Sequence, residues 1–154
     1  MSEVVANCLM NRQRQLTGSN SYAKELGFNP LSFITTRIQN QNNAAWLDIC
    51  CGTGRALIQA AESLYKLELI SQTSLVGVDI VSHFYPYSPE LINLELLNNS
   101  IHTFTSSRKF DLITCVHGLH YLGDKLKVLK RAASWLNNNG LLIAHLDLAF
   151  FVDC

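Results

Sequence analysis

A chain of 154 residues falls in the size range of one domain and is long enough to bury roughly two-thirds of the surface its unfolded form exposes. With 48% hydrophobic and 16% charged residues it is a globular sequence and not a disordered one. A formal net charge of +0 leaves no electrostatic footprint for nucleic acid or an anionic membrane, so neither is expected as a partner.

The first forty-three residues read as a helical cap, residues 1–43. Val4, Val5, Cys8 and Leu9 recur at helical spacing, and Thr17 to Ser21 is a loop. Asn29-Pro30 starts a helix whose apolar face is Leu31, Phe33, Ile34 and Ile38, and Gln39 to Asn43 closes it. The opening MSEVVANCLMNRQRQ lacks a signal peptide's long apolar core, and no run approaches the ~18 apolar residues of a membrane helix, so a cytoplasmic protein is expected. Five cysteines, at 8, 50, 51, 115 and 154, form no C-x-x-C pair and are odd in number. Buried, reduced thiols are the expectation, with no metal centre.

Residues 44–154 read as one α/β unit. The stretch AAWLDICCGTGRALIQAA, residues 44–61, passes from an apolar strand through Asp48 into a Cys50-Cys51-Gly52-Thr53-Gly54 turn and then into a helix. In an open α/β sheet such a turn sits at the carboxyl end of the first strand, where ligands bind, and the helix amino terminus offers N–H groups and partial positive charge. A dinucleotide turn wants G-x-G-x-x-G; here Leu57 stands where the third glycine belongs, which weakens a nicotinamide reading.

The sequence D-x-C-C-G-T-G, Asp48 to Gly54, resembles the first motif of the class I S-adenosylmethionine-dependent methyltransferases. The resemblance spans roughly residues 20–148 and implies a doubly wound, Rossmann-like, mainly parallel sheet of strand order 3-2-1-4-5. It makes S-adenosyl-L-methionine the expected cofactor, with Asp48 and Cys50, Cys51, Gly52, Thr53 and Gly54 holding its methionine part. The run RQLTGSNSYAKELGFNP is similar to amino-terminal extensions of small bacterial methyltransferases that fold over the cofactor cleft; by that likeness Tyr22 is a cofactor contact, and otherwise it packs.

Beyond the turn, Leu57, Ile58, Ala61, Leu64, Tyr65 and Leu67 or Leu69 supply the buried face of a helix. SLVGVD, residues 74–79, is the second strand, and Asp79 at its end is placed to accept hydrogen bonds from both ribose hydroxyls, with Ile80 beside it. The alternative for Asp79 is a turn cap. SHFYPYSP argues against the helix the family usually has here; its aromatics line the adenine or substrate side of the cleft, or cover the sheet. LINLELL, residues 91–97, is a strand near the sheet edge. Asn99 and Ser100 follow where the family often has an acidic residue on the adenine amino group, a role an amide also fits; a polar turn is the other reading.

FDLITCV, residues 110–116, is the fourth strand, and His117, Gly118, Leu119, His120 and Tyr121 follow it toward the reacting methyl group. His117 and His120 are the candidates for a general base, His117 also for a cofactor contact; both have a structural alternative, and together they lack enough ligands for a metal. Leu126, Leu129, Ala132, Ala133 and Leu136 predict an amphipathic helix over residues 124–136, with Lys125, Lys127, Lys130 and Arg131 on its solvated face. Asn139-Gly140 ends it with a left-handed turn, and LLIAHL, residues 141–146, is the fifth strand. The family fold continues with a helix and an antiparallel strand pair, which this sequence lacks. The fifth strand is then an edge followed by an apolar tail, open to self-association or to a partner.

The expected function is methyl transfer from S-adenosylmethionine to an unidentified, small-molecule acceptor. Two rivals stand beside it: a catalytically silent, methyltransferase-like binding domain, and a nicotinamide oxidoreductase.

Overall fold

The computed structural model describes residues 12–80, 83–116, 118–119 and 122–145. The expected helical spacing at Val4 to Leu9, the histidines His117 and His120, and the apolar tail lie outside these residues. Short helix α1, Tyr22–Leu26, is capped by the Ser21 hydroxyl on the Lys24 N–H and stopped by Gly27. Helix α2, Pro30–Gln41, has Asn29 as its cap and proline in its first turn. Strand β1 is Ala44–Ile49, helix α3 Arg55–Lys66, β2 Thr73–Asp79, β3 Leu94–Asn98, β4 Phe110–Cys115, α4 Lys125–Ser134 and β5 Leu136–Ala144.

All strand pairs are parallel and their order is β3-β2-β1-β4-β5, the doubly wound topology the sequence implies. Side-chain alternation splits the central strands between two cores. Trp46, Leu75 and Leu112 face Ile34, Ile38, Leu57, Ala61 and Leu64 of α2 and α3. Leu47, Ile49, Val76, Val78 and Ile113 face Val128, Ala132 and Trp135 together with Ile101 and Phe104. Burial on both faces is why these strands read as nearly continuous apolar runs.

Three local readings change. In α3 the buried stripe is Ala56, Leu57, Ile58, Ala60, Ala61 and Leu64, while Tyr65 and Leu67 are exposed. A rotation of about 100° per residue carries Tyr65 off the sheet, and Leu67 follows the last helical turn, leaving Leu69 to pack at the core's margin. In α4 the inward positions are Val128 and Ala132, with Trp135 after the helix end, whereas Leu126 is 80% exposed and Ala133 also faces solvent. Arg131 is drawn off the solvated face: its guanidinium donates to the carbonyls of Ile101, His102 and Phe104 and lies over the Trp135 ring at 5.4 Å.

The third change concerns the end of α4 and the start of β5. The helix stops at Ser134 and the strand begins at Leu136, not Leu141. Phe110 pairs with Leu136 and Leu112 with Leu141, so Asn137, Asn138, Asn139 and Gly140 stand opposite the single residue Asp111. The left-handed backbone of Asn139 therefore belongs to a wide bulge, not to a helix end. Buried Asp111 organises it, accepting from Ala45 N at 2.8 Å, Gln41 Nε2 at 2.9 Å and Asn137 Nδ2 at 3.3 Å.

Candidate active site

The glycine turn leaves the carboxyl end of β1 through Cys50, whose φ of 59° is left-handed, and returns into α3 through Gly54 at φ 78°. Cys51 N donates to Val78 O, Gly54 N to Cys51 O and Ile58 N to Gly54 O, which ties strand, turn and helix together. A side chain at Gly54 would meet Leu96 Cδ1 at 2.6 Å. The missing third glycine has a replacement that sequence reasoning overlooked: Gly77 of β2 faces Leu57, and a Cβ there would lie 2.7 Å from Leu57 Cδ1. Close packing of helix on strand is thus achieved with the glycine on the strand and the larger residue on the helix.

Asp48 lies beneath the turn, 1% exposed. Its Oδ2 accepts the Tyr22 phenol at 2.5 Å and its Oδ1 accepts the Thr114 hydroxyl at 2.7 Å, while Thr114 accepts from Trp46 Nε1 at 2.8 Å. Burial raises the Asp48 carboxyl to about 7; the Tyr22 and Thr114 hydrogen bonds pull it down and the charge of Asp79 pushes it up. Tyr22 is itself pushed well above a normal phenol, by burial first and then by Asp48. Tyr22 is 3% exposed, packed edge-on to Trp46, and joins the cap to β1 through Asp48.

Asp79 ends β2 beside the turn, its Oδ2 accepting Gly52 N at 2.8 Å. Ile80 next to it is 74% exposed. Asn99, at the end of β3, donates its N–H to Asp79 O and accepts from Thr103 Oγ1, and Ser100 Oγ accepts from His102 N. Two segments cross the turn. The carbonyl of Arg12 accepts both Thr53 N and Thr53 Oγ1 at 2.9 Å, and Tyr85 N donates to Thr53 O at 2.8 Å with its ring 5.2 Å from the Arg55 guanidinium. Neither contact has a signal in the sequence, because each rests on a backbone N–H or carbonyl that any residue would offer. The proline loop forms no long helix over residues 83–93, as its composition predicts. The structure thus brings Asp48, Cys50 to Gly54, Asp79, Ile80, Asn99 and Ser100 to the carboxyl end of the sheet, with Tyr22 buried below the turn. A shallow groove of about 540 Å³, lined in part by Asn42, Thr73, Ser74 and Arg108, lies at the opposite end and shares none of these residues.

A family model described as "Methyltransferase domain" matches residues 18–151. The chain belongs to that methyltransferase family. Among curated proteins, this methyltransferase domain is 25% identical over 127 residues to (S)-coclaurine N-methyltransferase of Papaver somniferum, covering 80% of the chain and 36% of the relative. The domain therefore spans about a third of that relative's length. Among solved structures, coclaurine N-methyltransferase bound to N-methylheliamine and SAH superposes with a TM-score of 0.57 at 22% identity, covering 82% of this chain and 36% of that one. The plantazolicin methyltransferase BpumL, in complex with a triazolic desmethylPZN analog and SAH, gives 0.55 at 18%, covering 74% and 43%. PKMT2 from Rickettsia typhi, in complex with AdoHcy, gives 0.53 at 28%, covering 66% and 20%.

Proposed function

We propose that this methyltransferase domain binds S-adenosylmethionine across the carboxyl ends of β1, β2 and β3 and transfers its methyl group to a small-molecule acceptor. The observation that carries the reading is the Asp79–Gly52 hydrogen bond, which fixes an acidic side chain at the end of β2 against the glycine turn. A carboxylate held there suits a ribose diol, and the exposed Ile80 and the Asn99 amide suit the edge and face of a purine. The amino end of α3 suits a carboxylate. The family match and the SAH and AdoHcy in the complexes of the superposed proteins support the same cofactor.

The cofactor supplies an already activated methyl group, so the protein's work is alignment and water exclusion. Asp48 stiffens the floor of the turn from below. The Arg12 and Tyr85 segments cross it from above and limit access to solvent. A base is required only for an acceptor that loses a proton, and His117 and His120 are our candidates. We place pairing with a second copy at β5, the last strand of the sheet among the described residues; concentration-dependent sedimentation that Leu141→Lys abolishes is the expected result.

Calorimetric titration of S-adenosylmethionine and, separately, NAD tests the cofactor reading. Binding of the methyl donor that disappears in Asp79→Ala is expected. A folded, monodisperse chain that binds NAD in preference, or neither, would overturn it.

A further inference from the structure

We infer that Cys50 and Cys115 form a reversible dithiol/disulfide pair, a redox site for hydroperoxides built between the glycine turn and the end of β4.

The two sulfurs meet because of the backbone. Trp46, Leu47 and Asp48 pair with Leu112, Ile113 and Thr114, so the next residue on each strand brings Ile49 beside Cys115, with Cys50 one position further on. With strands ~4.8 Å apart and a rise of ~3.3 Å per residue, that offset separates the two Cα atoms by about 6 Å. This lies inside the roughly 4.4–6.8 Å window of disulfides. Regular strand alternation would turn Cys50 to the opposite face. Its left-handed backbone instead swings it onto the face that holds Cys115, where it packs at the margin of the Ile49 and Ile113 core.

Gly118 leaves room for both thiols. A Cβ on it would lie 2.9 Å from Cys50 Sγ and 3.5 Å from Cys115 Sγ, so both sulfurs border one small space. The neighbouring Cys50 thiol, then burial, holds Cys115 well above the usual thiol range. Cys51 is excluded from the pair by its direction, being buried in the other core near Gly77. All three thiols are free.

The division of labour follows from exposure. Cys50 is half-buried and meets the oxidant; Cys115 is buried and resolves. Attack of the Cys50 sulfur on a hydroperoxide ROOH breaks its O–O bond and gives the Cys50 sulfenic acid and ROH. The Cys115 thiol then attacks that sulfur, the S–S bond forms and water leaves. Two electrons pass from the two sulfurs to the peroxide, and a dithiol reductant returns them.

The effect on cofactor binding rests on the function proposed above, whereas bond formation does not. Treatment of the full chain with hydrogen peroxide, followed by alkylation and peptide mass spectrometry, is expected to join the peptides of Cys50 and Cys115 with loss of two hydrogens and to separate them again with dithiothreitol. Cys51→Ala keeps the link and assigns it to Cys50. Cys115→Ala leaves the Cys50 sulfenic acid, trapped by a 1,3-diketone. Oxidised protein binds S-adenosylmethionine about tenfold more weakly, a change of ~1.4 kcal/mol. Peptides that stay unlinked after peroxide, or a link at Cys50 that survives Cys115→Ala, would overturn the pair. A link with unchanged affinity, in protein that binds the methyl donor when reduced, would overturn its control of the turn.

Discussion

Asp48 shows how far a single residue can be read before its neighbours are known. Its position before a glycine turn is visible in the sequence, but its hydrogen-bond partners come from residues 22 and 114, which only the fold brings together. With a folded-state value of about 7 against an ordinary 3.8, the carboxyl favours the native protein in its protonated form. Its contribution is fully present below about pH 4 and is lost as pH rises through about 7, because the unfolded chain binds fewer protons over that window. Thermal unfolding of Asp48→Asn between pH 4 and 7 is expected to be less destabilised by rising pH than that of the parent. At a pH above the folded-state value of about 7, where Asp48 is ionised, Tyr22→Phe removes one donor from the buried carboxylate and is expected to cost roughly 1.5–3 kcal/mol in chemical denaturation, the range for a hydrogen bond to a charged group.

Elements were legible where one periodicity ran without competition. Asn29-Pro30 and the apolar spacing after it predict α2, and the unbroken apolar runs predict β1, β2 and β4. The α4 to β5 junction was not legible, because Trp135 and Leu136 extend a helical pattern while the backbone has already turned. The Asn-rich run, too, reads equally as a helix stop and as a bulge. The site residues on β1 and β2 were legible through their motif, whereas Gly77 escaped notice because its importance lies in what Leu57 needs. Gly77→Ala forces its new methyl into Leu57, Cys51 and Leu96, and is expected to cost about 1–3 kcal/mol by the ordinary penalty for overpacking. A urea titration reads this directly, and Leu57→Ala in the same chain is expected to return part of the loss.

At the scale of the whole molecule, the strand order is reached with α3 between β1 and β2 and α4 between β4 and β5, while among the described residues β2, β3 and β4 are joined by loops. The right-handed rule for parallel crossovers leaves few other orders open. A ligand that spans β1, β2 and β3 braces the centre of that sheet. S-adenosylmethionine at one hundred times its dissociation constant is expected to stabilise the fold by about 2.7 kcal/mol. In scanning fluorimetry that corresponds to a rise of roughly 5–10 °C, and NAD at the same concentration is expected to leave the midpoint unchanged. Among the described residues no helix is long and apolar enough to cross a membrane.

The wide bulge opposite Asp111 has a use of its own. Taking out Asn138, Asn139 and Gly140 would leave one residue facing one, and the inward and outward sense of every later β5 side chain would be preserved. The loop is thus a removable insert, and it lies at the amino ends of the strands, across the sheet from the glycine turn. A dye, an affinity handle or a tether to a surface can be grafted there, and it would report on the domain without standing in the way of the methyl donor.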